Sequence, residues 1–576
     1  VVISLSYFLG ALPLAFAADL VDVQISGVEG ALLTNVKAFL SIAELEADSK
    51  RAPEVEERLV RRAHQVAGTE IGAALRPFGY YDPKVSASLE AIEGQWRAEY
   101  RIDPGAPVRV ERVDIGVEGD GQGEPKIAQA LATVAIKPGG VLLHSQYERA
   151  KEALLRASLS EGFLDARFTR SELRVDPATQ RAEVFLKLDT GAQYFFGPVT
   201  VEQDILKPAF VNRFVTIEPG EPFDPDRLLQ LQLALNDSGY FSRVEVQPQR
   251  ARAEKRRVPV TVVTEPTKPR RYAAGIGFGT DTGPRFTLGT EFRRLNRGGH
   301  TALVDLLVSA VKRRVGAQYR IPIANVLTDR LVFLTAFEDE DVADGSSRRY
   351  TLGVSRNDTW RGMNRRLFAN LQRDDFDLGE EDEDVTFLIP GINLSRSRAD
   401  ELFYPRDAFS WSVDLRGASE DLVADTTFVR SLAAVRRIRP LGGRGRLLMR
   451  SEIGATAVDD FSKLPTSERF FAGGDRSVRG YRYQDLGPTD ASGDNIGGEY
   501  LLVGSLEADY LFFGNFGGAV FVDAGNAADT FPPDPKFGAG LGPRWRSPVG
   551  MVGADFAYGF DDDAGVRLHV SIEVGL

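Results

Sequence analysis

Cysteine is absent from this chain of 576 residues. That excludes a disulfide framework and a thiolate metal site. Histidine is scarce, and His64, His144, His300 and His569 are too scattered to build a metal centre. Beyond the N-terminal segment no run reaches the roughly 18 apolar residues of a membrane helix, so no helical span is expected. There is no large basic block and the net charge is −12, which speaks against a nucleic-acid partner. No Ser/His/Asp grouping falls at a recognisable spacing, and His569 stands alone on its segment. No enzymatic activity is expected, and nothing calls for a cofactor or a metal. What the chain has in quantity is Gly (57) and Phe (35).

The N-terminal stretch VVISLSYFLGALPLAFAADL is apolar, and Ala15-Phe16-Ala17 fits a small-x-small cleavage site. Residues 1–17 therefore read as a secretory signal peptide. No initiator Met opens the stretch, so the translation start is expected upstream. The next segment repeats. Three times an amphipathic helix runs into a Gly-aromatic pair and then a strand: LRPFGYYDPKV, SLSEGFLDARF and LNDSGYFSRVEV. The pivots Gly79, Gly162 and Gly239 lie about 80 residues apart, too far for a solenoid turn. The period suits three small tandem domains, 19–106, 107–191 and 192–267. In the second, VRVERVDIGVEG reads as a strand, PKIAQALATV and SQYERAKEALLRASLSEG as helices, and ARFTRSELRV and RAEVFLKL as strands, giving the order βααββ. Gly closes the helix because it enters the left-handed cap without a Cβ penalty. The first unit departs from the pattern with ELEADSKRAPEVEE, a longer helical insert. Small domains of this kind expose sheet edges that can accept an extended peptide.

From about Arg271 helical periodicity stops and alternation begins. Phe409, Trp411, Val413 and Leu415 share one face, with Ser410, Ser412, Asp414 and Arg416 on the other. In the final segment Leu568, Val570, Ile572, Val574 and Leu576 face one way and His569, Ser571 and Glu573 the other. Such alternation is the mark of a transmembrane β-barrel with a lipid face and a polar lumen. About sixteen segments fit, an even count as bacterial barrels require. The expected fold is thus α+β βααββ repeats followed by an all-β barrel over 271–576. The acidic runs Glu338–Asp341 and Glu380–Asp384 are expected at solvated hairpin tips.

One connection, between the strands near 447–457 and 499–512, spans roughly forty residues, a length that usually signals function or disorder. It carries FFAGGDRSVRGYRYQ, rich in Arg, Gly and aromatics rather than low-complexity. In YLLVGSLEADYLFF, Glu507 shares a face with Val503, Ser505 and Asp509, opposite Leu506 and Tyr510. Asp523 alternates with Val522 and Ala524. Both carboxylates therefore point into the lumen. A loop arginine, whose planar fork binds carboxylate oxygens in two directions, would pin the loop inside.

Val478-Arg479-Gly480-Tyr481, together with Gly497-Gly498-Glu499 leading into GSLEADY and with FVDAGN at 521–526, resembles the loop-six signature and wall motifs of the Omp85 superfamily of outer-membrane assembly factors. Of Arg476, Arg479 and Arg482 it is Arg479 that the resemblance implies as the partner of Glu507 and Asp523, with Gly480 letting the backbone approach the wall. The tandem units resemble that family's periplasmic POTRA domains. The resemblance implies a bacterial outer-membrane barrel that inserts client outer-membrane proteins into the lipid bilayer. Its seam would open between the first strand (Ala273, Gly275, Gly277, Gly279), weakened by glycine, and the last (Leu568 to Leu576); the alternative is that these small residues only make room for the inserted loop. Three units before the barrel resemble the TamA-like branch, which implies a TamB-like inner-membrane partner meeting the N-terminal domain and clients such as autotransporters. A two-partner-secretion pore exporting a large β-rich protein is the alternative. An ordinary porin would lack the tandem units.

Overall fold

The computed structural model describes residues 21–49, 56–92, 95–281, 283–548, 550–561 and 565–573. The segment 1–17 read as a signal peptide lies outside them, as do Val574 and Leu576. Two compact units divide the chain: one holds chiefly the first two α/β domains, the other chiefly the barrel, and the third domain is shared between them.

Each α/β domain is a three-stranded sheet in which the domain's last strand lies in the middle. In the second domain the order is Arg109–Glu118, helices Pro125–Ala132 and His144–Ser160, then Arg167–Asp176 and Arg181–Asp189. The central strand runs parallel to the first and antiparallel to the second. Tyr147, Ala150 and Leu154 recur along one helix face and bury against Val184 and Leu186 of that strand. The first domain repeats the plan with Val21–Ser26, Lys84–Ile92 and Gln95–Asp103. Its insert adds a helix, so Gly30–Phe39 and Ser41–Ser49 precede the long Glu57–Leu75. Gly79, Gly162 and Gly239 take φ of 92°, 85° and 74°, where only glycine turns freely. At Gly162 a Cβ would also collide with the Tyr194 carbonyl.

The barrel is a sixteen-stranded antiparallel sheet from Arg270–Gly279 to Val566–Glu573, each strand paired with its sequence neighbour. The first strand begins three residues before Ala273 because Arg270 to Tyr272 already pair with Phe292 to Thr290. Along the middle of the strands outward side chains are apolar: Ile276 and Phe278 on the first strand, Val413 and Leu415, Leu506 and Tyr510, Val520 and Val522, Leu568 and Ile572 are all exposed. Inward neighbours of these residues, Asp509, Asp523 and His569, are buried. That polarity is inverted relative to a water-soluble sheet and fits hydrocarbon outside.

The strands are unequal. Gly345–Trp360, Met363–Leu378 and Glu381–Ala399 have 16, 16 and 19 residues, beyond the roughly 9–11 that cross a bilayer. The first and last have 10 and 8. The overhang keeps the acidic runs at hairpin ends but mostly in paired strand: Glu338 to Asp341 close the strand Arg330–Val342, Glu380 lies in the turn, and Glu381 to Asp384 open Glu381–Ala399. The ladder tolerates them because cations stand beside them. Glu338 meets Lys312 at 3.4 Å and Arg314 at 3.1 Å, with Arg349 closer still. Arg373 Nε donates to Asp384 at 2.8 Å.

At the opposite end, Phe210, Phe214 and Tyr240 of the third domain pack edge to face. Tyr240 Oη donates to the Gly299 carbonyl at 2.5 Å, at the turn before the third barrel strand.

Candidate functional site

The long connection runs from the eleventh strand, Gly445–Val458, to the twelfth, Tyr500–Phe513. It folds back into the lumen. Val478 and Tyr481 are buried, with Phe470, Ala472 and Leu486 of the same loop and Leu501 and Val503 of the wall around them. The apolar cluster explains why the loop holds a shape at this length: its own side chains supply a core.

Arg479 is the hub. Its Nε and Nη2 donate to the two oxygens of Asp523 at 2.7 and 3.0 Å, and its backbone N–H adds a third bond at 3.1 Å. Its Nη1 reaches Glu507 at 2.7 Å and Asp555 at 3.0 Å. The guanidinium lies 3.3 Å from the centre of the Phe521 ring, which supplies a π face on the side where no oxygen is available. Glu507 is on the twelfth strand, Asp523 on the thirteenth (Phe516–Ala528) and Asp555 on the fifteenth (Gly550–Gly559). Arg544, on the fourteenth (Lys536–Ser547), donates to Glu507 at 2.6 Å and to Asp555 at 2.5 Å. Three carboxylates thus share two guanidiniums. Arg450 on the eleventh strand donates to the Ser477 carbonyl at 2.9 Å and brings a further cation to the same wall.

The rest of the motif reads the wall by shape. Gly480 has φ 101°, and a Cβ there would meet the Gly559 nitrogen at 2.5 Å. Its N–H donates to His569 Nε2 at 3.1 Å. Tyr481 Oη donates to the Phe537 carbonyl at 3.1 Å and to Asp561 at 2.8 Å. Opposite, a Cβ on Gly538 would occupy the place of the Arg479 carbonyl oxygen. Loop and wall are each glycine where they touch.

The structure therefore brings Val478, Arg479, Gly480 and Tyr481 together with Glu507 and Asp523. His569 does not stand alone: its Nδ1 lies 2.5 Å from Asp475 of the loop. Sequence reasoning missed Asp555, Arg544 and this pair. The signal was available, since Arg544 alternates with the exposed Trp545 and Asp555 with the exposed Phe556, and an inward charge on a barrel strand demands a counter-charge.

Ala273, Gly275, Gly277 and Gly279 sit on the inward face of the first strand, alternating with exposed Tyr272, Ile276 and Phe278. Leu568, Val570 and Ile572 sit on the last strand. Among the described residues no ladder joins these two strands, which are the two ends of the sheet. At the loop end the Val570 N–H donates to Thr280 Oγ1 at 3.2 Å. Asp281, Asp475 and His569 converge here; His569 Nδ1 bonds Asp475 Oδ1, and the Asp475 N–H donates to Asp281 Oδ2.

Comparison with known proteins places three family models on the chain. Residues 316–576 match the Omp85 superfamily domain, 22–104 match POTRA domain TamA domain 1, and 194–266 match a POTRA model described as surface antigen variable number repeat. The chain is 26% identical over 382 residues to outer membrane protein assembly factor BamA of Nitratidesulfovibrio vulgaris, a match covering 62% of this chain and 47% of that relative. Among solved structures, BamA of Haemophilus ducreyi lacking POTRA domains 1–3 superposes with a TM-score of 0.65 at 15% identity, covering 80% of this chain and 98% of that one. CdiB of Acinetobacter baumannii reaches 0.45 at 15% identity, covering 81% and 90%.

Proposed function

Because the chain carries an Omp85 superfamily domain behind POTRA domains, we propose that it is an assembly factor that inserts client β-barrel proteins by offering them its seam. The barrel lies in the outer membrane with the POTRA domains on the periplasmic side. One observation carries the reading: fifteen neighbouring pairs are laddered, and among the described residues no ladder joins the first strand to the last. A client strand entering hydrocarbon needs every backbone N–H and C=O satisfied. Among the described residues the first strand, Arg270–Gly279, is laddered on one side alone and is glycine at Gly275, Gly277 and Gly279, so little side-chain packing resists an added strand.

The finer assignment follows the first domain. Its match to the POTRA model of TamA domain 1 supports a TamB-like inner-membrane partner docking there, with autotransporters among the clients. An export pore is the weaker reading, since its cargo would have to pass a lumen occupied by the loop.

The test uses the cysteine-free background. Thr280→Cys with Val570→Cys places thiols at two positions already in contact. With the disulfide formed, client insertion into liposomes should stop; with it reduced, insertion should return. Full insertion by the oxidised protein would remove the proposal.

A further inference from the structure

Among the described residues no ladder joins the two edge strands, yet they are linked. At the loop end the link is made by side chains from three elements. Thr280 and Asp281 belong to the turn after the first strand, Asp475 to the long loop, and His569 and Val570 to the last strand. The Gly480 N–H donates to His569 Nε2 at 3.1 Å, so that nitrogen is an acceptor and the proton sits on Nδ1. Nδ1–H then donates to Asp475 Oδ1 at 2.5 Å. Thr280 Oγ1 donates to the same carboxylate at 3.1 Å, and the Asp475 N–H donates to Asp281 Oδ2 at 2.7 Å. The Val570 N–H closes the circuit onto Thr280 Oγ1 at 3.2 Å.

Every bond in this circuit passes through the loop or across the seam. The last strand is bonded to the loop, the loop to the first hairpin, and the hairpin back to the last strand. Gly480 is the neighbour of Arg479, so the circuit is continuous with the anchor on Asp523. Gly474 also fits closely here, since a Cβ would lie 2.7 Å from Asp281 Oδ2.

We infer that Asp475 is a staple: the loop fastens the first hairpin to the last strand, and displacing the loop releases the edge for a client. The inference rests on the reading of the seam as the working site and adds what governs its opening. It makes the lumenal loop a sensor. A client strand that competes for His569 or Thr280 unseats Asp475 and frees this end of the seam in one event.

The test separates the staple from the function. Nitroxide labels on Phe278→Cys and Ile572→Cys, both outward and exposed and neither part of the circuit, report the seam width of the full chain in bilayers. Asp475→Ala should lengthen the label distance by about one strand spacing, ~5 Å, and raise the rate of client insertion. Asp475→Asn, which keeps an acceptor oxygen, should restore the native distance. Should Asp475→Ala fail to fold, Thr280→Ala removes fewer bonds and should shift the distance in the same direction by less. An unchanged distance in Asp475→Ala, or in Thr280→Ala where that is the variant that folds, overturns the staple, whatever insertion does. A widened seam with no change in insertion keeps the staple and overturns the seam as the site of client entry.

Discussion

Arg479 shows how one side chain can fix a loop of this length. Its fork satisfies Asp523 through two bonds and reaches Glu507 and Asp555 with the remaining nitrogen. Asp523 is fully buried and Asp555 nearly so. Removing the cation would strand Asp523 in a poorly hydrated wall, while Asp555 and Glu507 keep Arg544, an effect of about 3–5 kcal/mol for a broken buried pair. Arg479→Ala should therefore expose 459–499 to protease, measured by limited proteolysis. Arg479→Lys should recover little, because a point charge cannot bond two carboxylate oxygens in one plane and two further carboxylates as well. Protease resistance equal to the parent in Arg479→Ala would show that the apolar cluster around Val478 and Tyr481 holds the loop unaided. The inward direction of Glu507 and Asp523 was legible because alternation sets it residue by residue. Their company was not. Asp555 and Arg544 come from strands that touch the loop only after the sheet has curled, and His569 finds Asp475 ninety-four positions away, a separation no local pattern encodes.

At the scale of elements, strand length and glycine placement divide the barrel. The long strands on the far wall carry their acidic runs past the hydrocarbon, where Lys312, Arg314 and Arg373 meet them. Alternation made these segments readable as strands, but their length was not readable: the charges looked like turn signals, and only the facing cations, two strands in sequence but one ladder in space, keep them extended. The three βααββ domains were legible for the opposite reason. Their helix faces and glycine stops are local, as Tyr147, Ala150 and Leu154 leading to Gly162 illustrate. On the near wall, glycine in the fourteenth strand makes room for the loop. Gly538→Val would drive a side chain into the Arg479 carbonyl and should unseat the loop while leaving the sheet paired. The expected reading is a heat-modifiable barrel band like the parent's with increased cleavage inside 459–499. Gly443→Ala meets nothing within 4 Å and should match the parent in both. Equal protease resistance in Gly538→Val would mean that the wall yields rather than the loop.

For the whole molecule, the decisive question is whether the barrel is a conduit or a template, and the lumen answers through its two ends. The loop fills one end. At the periplasmic end the turn between the eighth and ninth strands, residues 400–407, folds across the mouth. Tyr404 is buried against Leu511 of the twelfth strand and Met551 of the fifteenth. Its ring is held between two guanidiniums, Arg446 at 3.9 Å and Arg546 at 4.6 Å. Arg446 is itself bonded to Asp509 and to the Pro405 carbonyl, and Arg546 to Glu401 at 3.0 Å. The turn is thus fastened to the opposite wall by packing, cation–π contact and ion pairing together, independently of Arg479. Two barriers in series limit ion flow by whichever remains shut. In planar bilayers the parent should conduct weakly, and Tyr404→Ala or Arg479→Ala alone should add little. The double variant should raise conductance well beyond the sum of the two. If Arg479→Ala alone conducted as freely as the double variant, the turn would be no barrier, and a path through the lumen would need only the loop to move. A conduit that must unfasten two unrelated closures for every cargo is a poor device, whereas a template that works at its edge has every reason to keep its lumen shut.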